Sequence, residues 1–319
     1  MTGAGQQDGR VVLVTGASSG IGRATATAAG ARGDHVVLAA RSEAELEAAA
    51  EEARAAGAAS VLHRRVDVGD DGAVAALVAA VLERHGRIDA VVHAAGVAAY
   101  GRVEDLPAAV FEGVVRTNLL GSASVARHVV PVLRRQGGGS LLLVGSVLGH
   151  AGAPTMTAYV VSKWGVRALA RQLRIENRDV PGVRIGYVAP GGVDTPIYRQ
   201  AATVVGVEGR PPPPVVGAER VAAQVLDRLG GRLQRPQLTP VNHLLRLGYS
   251  ALPGVYDRVV GPAFRVLATD LVRPVPPTDG NVLAAQERKE SARGPETGPL
   301  PAARNLVRNL RVLVRGGRG

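Results

Sequence analysis

Short apolar runs alternate, over the first two thirds of the chain, with longer stretches in which hydrophobic positions recur at helical spacing. Val11–Val14 is the first such run; a Gly-rich turn and an Ala-rich stretch from Ile21 to Arg32 follow it, which reads as strand, turn, helix. The unit recurs as His35–Ala40 with Glu43–Ala56, as Val61–Val68 with Ala73–His85, and as Ile88–Ala94 with a single helical segment from about Leu106 to Arg135. Ser140–Ser146, a helix over Thr157–Glu176 and the run Val183–Val188 continue it. Strands that are apolar throughout and separated by helices predict parallel βαβ units. The expected fold class is therefore α/β, a doubly wound parallel sheet with helices on both faces.

After Pro196 the rhythm stops. Residues 197–216 end in Pro211–Pro214, a helix is expected over Ala218–Leu229, and a second apolar stretch spans about 241–272. Residues 1–9 are expected to be a disordered N-terminus, 10–235 the catalytic unit and 236–273 a helical C-terminal extension. The composition of 274–303, rich in Pro, Gly and charge, predicts a linker, and 304–319 a basic amphipathic tail.

Composition narrows the chemistry. There is no Cys, which excludes disulfides, thiolate metal sites and a Cys nucleophile. The opening MTGAGQQDGR carries no apolar stretch and no long uncharged apolar run follows, so a cytoplasmic protein is expected. The formal net charge of +11 suggests nucleic acid until it is divided: +8 of it falls in residues 201–319, leaving the first 200 nearly neutral. With aromatics at 3% there is no stacking platform for bases, so nucleic-acid binding is not expected.

Three constellations carry chemistry. Thr15-Gly16-Ala17-Ser18-Ser19-Gly20-Ile21-Gly22 lies between the first strand and the first helix. Glycines there let the backbone approach a pyrophosphate, and the helix N-terminus offers unpaired N–H donors, which nominates Gly16, Ser18, Ser19, Gly20, Ile21 and Gly22 as cofactor contacts. Alternatively the turn is an ordinary Gly-rich βα connection. Arg41 ends the second strand, where an acidic residue would bind the ribose 2′-OH of NAD. A guanidinium can instead pair with a 2′-phosphate, which favours NADP(H) unless Arg41 is simply a surface residue. Tyr159-Val160-Val161-Ser162-Lys163 places a Tyr and a Lys on one helix face. With six Tyr and two Lys in 319 residues, a chance YxxxK is expected only about 0.04 times.

Together, TGxxxGxG on the first βα turn, an Asn in a mid-chain helix, a Ser after the fifth strand, YxxxK and a following Pro-Gly resemble the short-chain dehydrogenase/reductase family over about residues 10–230. The resemblance implies a Rossmann-like fold and a catalytic tetrad of Asn118, Ser146, Tyr159 and Lys163. It implies further cofactor contacts from Asp67, Val68, Ala95 and Gly96, from Tyr159 and Lys163, and from Pro190, Gly191, Val193 and Thr195. Val193 and Thr195 are expected near the carboxamide. His93-Ala94-Ala95-Gly96 stands where the family usually has Asn-Asn-Ala-Gly, which puts in doubt the side-chain support of the fourth strand. The implied chemistry is hydride transfer with acid–base catalysis. Tyr159 is the proton carrier, its pKa brought down by about three units from about 10 by nearby positive charge. Ser146 is the donor to the substrate oxygen, Lys163 the ribose ligand, and Asn118 the anchor of a water leading to bulk. An NADP-binding scaffold without turnover is the alternative.

Tyr100, Leu148, Met156, Ile197 and Tyr198 are candidates for an apolar substrate pocket, and hence for a small apolar carbonyl or alcohol as substrate. His150 is either a substrate contact or a surface loop residue, and His93 a core residue rather than a ligand. Small residues Ala158, Gly165, Ala168 and Ala170 on one helix suggest a homo-oligomer. Arg304, Arg308, Arg311 and Arg315 form a stripe opposite Leu306, Val307, Leu310, Leu313 and Val314. That stripe suits either weak peripheral contact of 304–315 with an anionic membrane or docking of its apolar face on the protein.

Overall fold

The apolar runs become one sheet because the inner strands bury both of their faces, while the edge strand at Ser60–Arg65 stays partly exposed. The computed structural model describes residues 9–229 and 240–286, together with 304, 307–309 and 311. The first half runs β1 (Val11–Thr15), α1 (Gly20–Gly30), β2 (His35–Ala40), α2 (Glu43–Ala56), β3 (Ser60–Arg65), α3 (Asp71–His85), β4 (Ala90–His93) and β5 (Ala99–Tyr100). Then come α4 (Ala108–Val115), a π-helical turn (Arg116–Leu120), α5 (Gly121–Arg135), β6 (Gly139–Val144), α6 (Thr157–Glu176) and β7 (Val183–Val188). Beyond these lie β8 (Gly192–Asp194), β9 (Ala202–Thr203), β10 (Val207–Gly209), β11 (Val215–Gly217), α7 (Ala218–Leu229), α8 (Pro240–Ala251), α9 (Pro253–Leu267) and β12 (Thr269–Pro274).

The main sheet has six parallel strands in the order β3-β2-β1-β4-β6-β7. Alternate side chains serve opposite layers. Leu13, Val37, Val91 and Leu141 pack with α3, α5 and α6, while Val12, Val36, Val92 and Leu142 pack with α1, α2 and α7. Strand order reverses between β1 and β4, so the loops after these two strands diverge and leave a crevice at their carboxyl ends.

Four expectations are corrected. The helix expected over 106–135 is interrupted by the π-helical turn, which carries Asn118, because one extra residue is accommodated there without breaking the helix axis. The third strand stops at Arg65 rather than Val68; Asp67 turns the chain by accepting a hydrogen bond from Gly69 N at 2.9 Å. Three of the four small residues on α6 pack against their own chain. Ala158 and Ala170 are buried, and a Cβ on Gly165 would meet the Leu119 side chain at 2.6 Å. Ala168 alone is exposed.

The fourth correction concerns the C-terminus. Residues 274–286, expected within the linker, are docked on the domain: Val275 and Thr278 pair through their backbones with Gly206 and Thr203, and Val282 is buried. Of the expected tail, Arg308 donates to the buried Asp270 at 2.6 Å. Asn309, fully buried, donates to Val266 O and Thr269 O and accepts from Leu271 N. It thereby satisfies carbonyls left over at the end of α9. Arg308 and Asn309 are thus held on the protein, with Arg308 spent on an ion pair, while Arg304, Val307 and Arg311 are exposed; the remainder of 287–319 and residues 1–8 and 230–239 lie outside the described residues. No helix among the described residues is long and apolar enough to cross a membrane.

Docking of the tail predicts a stability effect. Asn309→Ala removes three hydrogen bonds to the backbone and should lower the free energy of unfolding by about 1–3 kcal/mol. Urea denaturation measures it. A midpoint equal to wild type would show that the tail does not hold this position in solution.

Candidate active site

The crevice at the strand-order reversal is lined by the Gly-rich turn after β1, and its glycines are required by close approach. Gly16 has φ +69°, and a Cβ there would lie 2.6 Å from Ala95 N; on Gly22 it would lie 2.1 Å from Gly16 O. Arg23, buried on α1, pairs with Glu52 at 2.7 Å and reaches Ser18 O at 3.4 Å, bracing the turn from behind. The N-terminus of α1 has no side-chain cap and no acidic residue in its first turn. Its N–H groups and partial positive charge therefore face the crevice, the donor set a pyrophosphate requires. A dinucleotide fits this cradle.

Of the expected cofactor residues, Gly16, Ser18, Ser19, Gly20, Ile21, Gly22, Arg41, Asp67, Val68, Ala95, Gly96 and Thr195 line this one crevice. Pro190, Gly191 and Val193 do not, nor do Tyr159 and Lys163, which stand beside it. Val193 pairs with Val216 between β8 and β11 and its side chain is buried in the core, while Gly191 is pressed against Asn242 of α8. The crevice also gains residues that no motif announced: Ser42 and Glu45 at the start of α2, Gln200, and Asn281, Ala285 and Gln286 from the C-terminal segment. The Arg41 guanidinium donates to the backbone oxygens of Asn281 and Val282. Burial works against its charge and the Asp67 carboxylate favours it.

Next to the crevice, α6 brings Tyr159 and Lys163 onto one face, with Lys163 Nζ 5.6 Å from the centre of the Tyr159 ring. Lys163 is buried and donates to Val144 O at 3.1 Å, at the end of β6. A Cβ on Gly96 would come within 3.4 Å of Nζ and 3.3 Å of Asn118 Oδ1, so the loop after β4 passes close against both side chains. Burial brings Lys163 down to about 8 and pushes Tyr159 up to about 12, against a hydrogen bond with Ser146 that lowers it. The protein's own groups therefore do not supply the lowering of Tyr159 expected from the sequence; desolvation outweighs them. Ser146 Oγ accepts from Leu148 N at 3.1 Å, which fixes the oxygen and leaves its O–H as a donor.

The Asn118 side chain makes three hydrogen bonds to neighbouring segments. Its Oδ1 accepts from Val97 N at 2.8 Å, and its Nδ2 donates to Val97 O at 3.0 Å and to Ser162 Oγ at 2.9 Å. Ser162 Oγ in turn donates to Tyr159 O. The side chain is committed to holding the loop after β4 against α6, one turn from the tyrosine.

His93 ties β4 to β1 through a 2.7 Å hydrogen bond between its Nδ1 and Thr15 Oγ1, which answers the doubt about support of the fourth strand. Burial, and Lys163 to a lesser degree, push it down to about 3, so it is neutral. His150 is buried against Tyr187, with ring centres 5.9 Å apart, and not on the surface. Burial pushes it down to about 4. Tyr100 and Met156 are buried in a cluster that Leu148, Ile197 and Tyr159 join, with Phe264 of α9 as a member the sequence did not point to.

Comparison with known proteins agrees with this geometry. The family model described as short chain dehydrogenase matches residues 10–204. Levodione reductase of Leifsonia aquatica is 38% identical over 194 residues, covering 60% of this chain and 72% of that one. 2-(R)-Hydroxypropyl-CoM dehydrogenase of Xanthobacter autotrophicus is 36% identical over 193 residues, 60% of this chain and 77% of that one. Among solved structures, an alcohol dehydrogenase from the archaeon Thermococcus sibiricus complexed with 5-hydroxy-NADP superposes with a TM-score of 0.63 at 31% identity, covering 72% of this chain and 94% of the other.

The buried ammonium gives a pH-dependent stability. Lys163 is lowered to about 8 from an ordinary 10.5, so between those values the unfolded chain binds a proton that the folded one lacks, and stability rises with pH across that window. Below it the folded state carries the whole desolvation cost, on the order of 3 kcal/mol. Lys163→Met should therefore gain most over wild type at pH 7, the gap closing toward pH 10.5. Thermal unfolding at several pH values checks this; a gap independent of pH would contradict it.

Proposed function

The chain belongs to the short-chain dehydrogenase family and is an oxidoreductase of CH–OH groups, and from that premise we propose that it interconverts an apolar secondary alcohol and its ketone using NADP(H). The observation that carries the reading is the convergence of Ser146, Tyr159 and Lys163 beside a crevice built around the Gly16–Gly22 turn. When bound, the dinucleotide supplies or accepts the hydride. Tyr159, held protonated by burial, delivers its proton to the carbonyl oxygen in reduction and takes it back in oxidation. Ser146 donates a hydrogen bond to the same oxygen as charge develops there.

Lys163 supplies positive charge beside Tyr159 and holds the cofactor ribose, while Asn118 positions Tyr159 through Ser162. Arg41 supports the choice of NADP(H), being the cation at the crevice wall where α2 begins. The cluster of Tyr100, Leu148, Met156, Ile197 and Phe264 supports an apolar substrate. A homodimer is the oligomer we favour, through the outer face of α6, where Val161 and Ile175 are exposed.

Two outcomes are expected. Tyr159→Phe should cut turnover about 10²- to 10⁴-fold while cofactor affinity changes little; a variant keeping a tenth of the wild-type rate would remove Tyr159 from this role. Arg41→Ala should weaken NADPH binding in a fluorescence titration more than NADH binding. Equal effects on both would count against NADP(H) preference.

A further inference from the structure

Arg41 is where two segments distant in sequence meet. Its Nη2 donates to Asn281 O at 2.5 Å and its Nη1 to Val282 O at 3.2 Å. These carbonyls belong to a strap, residues 278–286, that is fastened to the domain at three points. Thr278 and Thr203 exchange a pair of backbone hydrogen bonds of 2.8 and 3.0 Å. Asn281 donates from its backbone to Gln200 O at 2.8 Å and from its side chain to Gln200 Oε1 at 3.0 Å. Val282, 3% exposed, plugs into the cluster of Val110, Phe111 and Val114; a Cβ on Gly113 would sit 2.7 Å from it.

The strap changes the chemistry of the crevice where Arg41 stands. Four buried oxygens without a hydrogen-bond partner belong to residues that line this crevice: Ser42 Oγ, Glu45 Oε2, Asn281 Oδ1 and Gln286 Oε1. Three of the four only accept, and one belongs to a carboxylate. With two Nη donors of Arg41 already engaged by carbonyls, less of the guanidinium is left for an anion, and the acceptors of Glu45, Asn281 and Gln286 belong to the wall beside it. Acceptors suit the hydroxyls of an unmodified ribose and oppose a phosphate dianion, which needs the guanidinium.

We infer that the strap 278–286 sets the cofactor selectivity of this enzyme, by engaging Arg41 and placing Asn281 and Gln286 at the adenosine ribose. Docked, it moderates the preference for a 2′-phosphate that Arg41 would otherwise give; released, it leaves Arg41 free to pair with that phosphate. The inference rests on the reading above that a nicotinamide dinucleotide occupies this crevice with its adenosine ribose near Arg41.

The test uses the full chain with Val282→Asp, which puts a carboxylate in the apolar plug site and releases the strap, in NADPH and NADH titrations followed by fluorescence. Release should raise the ratio of NADPH to NADH affinity by about fivefold, the worth of one hydrogen bond, and the rise should vanish when Arg41→Ala is added. An unchanged ratio, with amide exchange at 278–286 showing the strap free, overturns the inference. Should Val282→Asp not fold, amide exchange of the wild type decides. NADP+ at saturation should speed exchange at 278–286 relative to NAD+, and equal protection by the two overturns it. Failure of the underlying reading shows separately, as no saturable binding of either cofactor or as an Arg41→Ala variant that binds NADPH like wild type.

Discussion

The active site depends on one unfavourable act, the burial of the Lys163 ammonium without a carboxylate beside it among the described residues. Its hydrogen-bond partner is a backbone carbonyl at the end of β6, and its near neighbours are Gly96 and the Asn118 side chain. To bring α6 this close to the sheet, Gly96 passes tightly by both side chains, Val97 is held by Asn118, and Asn118 is presented by the π-helical turn. Burial acts in opposite directions on the two ionisable partners. It lowers the lysine to about 8 and raises the tyrosine to about 12, so the pair is set with the proton on oxygen. Any charge that arrives beside Tyr159 acts on a group already removed from water, where it counts for more than at the surface.

The second half of the chain encloses what the first half builds. Residues 196–204 follow the last strand of the main sheet and are fixed from both sides, by β5 through Ala99–Ala202 pairing and by the strap through Thr278 and Asn281. The α8–α9 hairpin closes the substrate side: Tyr256 donates to Gly152 O at 2.7 Å, Tyr249 stands against Trp164, and Phe264 joins the cluster around Tyr100. Cofactor and substrate regions are therefore covered by neighbouring parts of one C-terminal segment, and loosening either is felt through the loop between them.

The chemistry was legible in the sequence because it resides in residue types at short fixed spacing: the Gly-rich turn, the Tyr159/Lys163 pair, Arg41 at a strand end. The helices over 43–56, 157–176 and 218–229 were legible because tertiary packing agrees with their periodicity. What escaped depends on contacts across long separations. The stretch 274–286 has the composition of a linker, and its order comes from Val282 filling a gap against Gly113 and from backbone bonds to Gln200 and Thr203, none of which leaves a periodic trace. Asn309 read as one polar residue in a basic tail, yet three backbone partners on α9 and β12 make it an internal cap. The π-helical turn was hidden for a related reason. A π-helical turn absorbs its extra residue without a signature in residue type, so the segment reads as one helix.

That turn makes the site sensitive to residue count as well as to the identity of Asn118. Between Arg116 and Leu120 the chain contains one residue more than a regular helix would need, and α4 and α5 are phased on either side of it. Deleting any one of these five positions would let the ladder close into ordinary α-helix with α4 and α5 still in phase, removing the widened turn that presents Asn118 to Val97. Substitutions along the same stretch leave the phase intact. Evolution of this segment is therefore constrained in length even where its side chains are free to vary, and a relative with a one-residue gap there would have to hold its catalytic helix by other means.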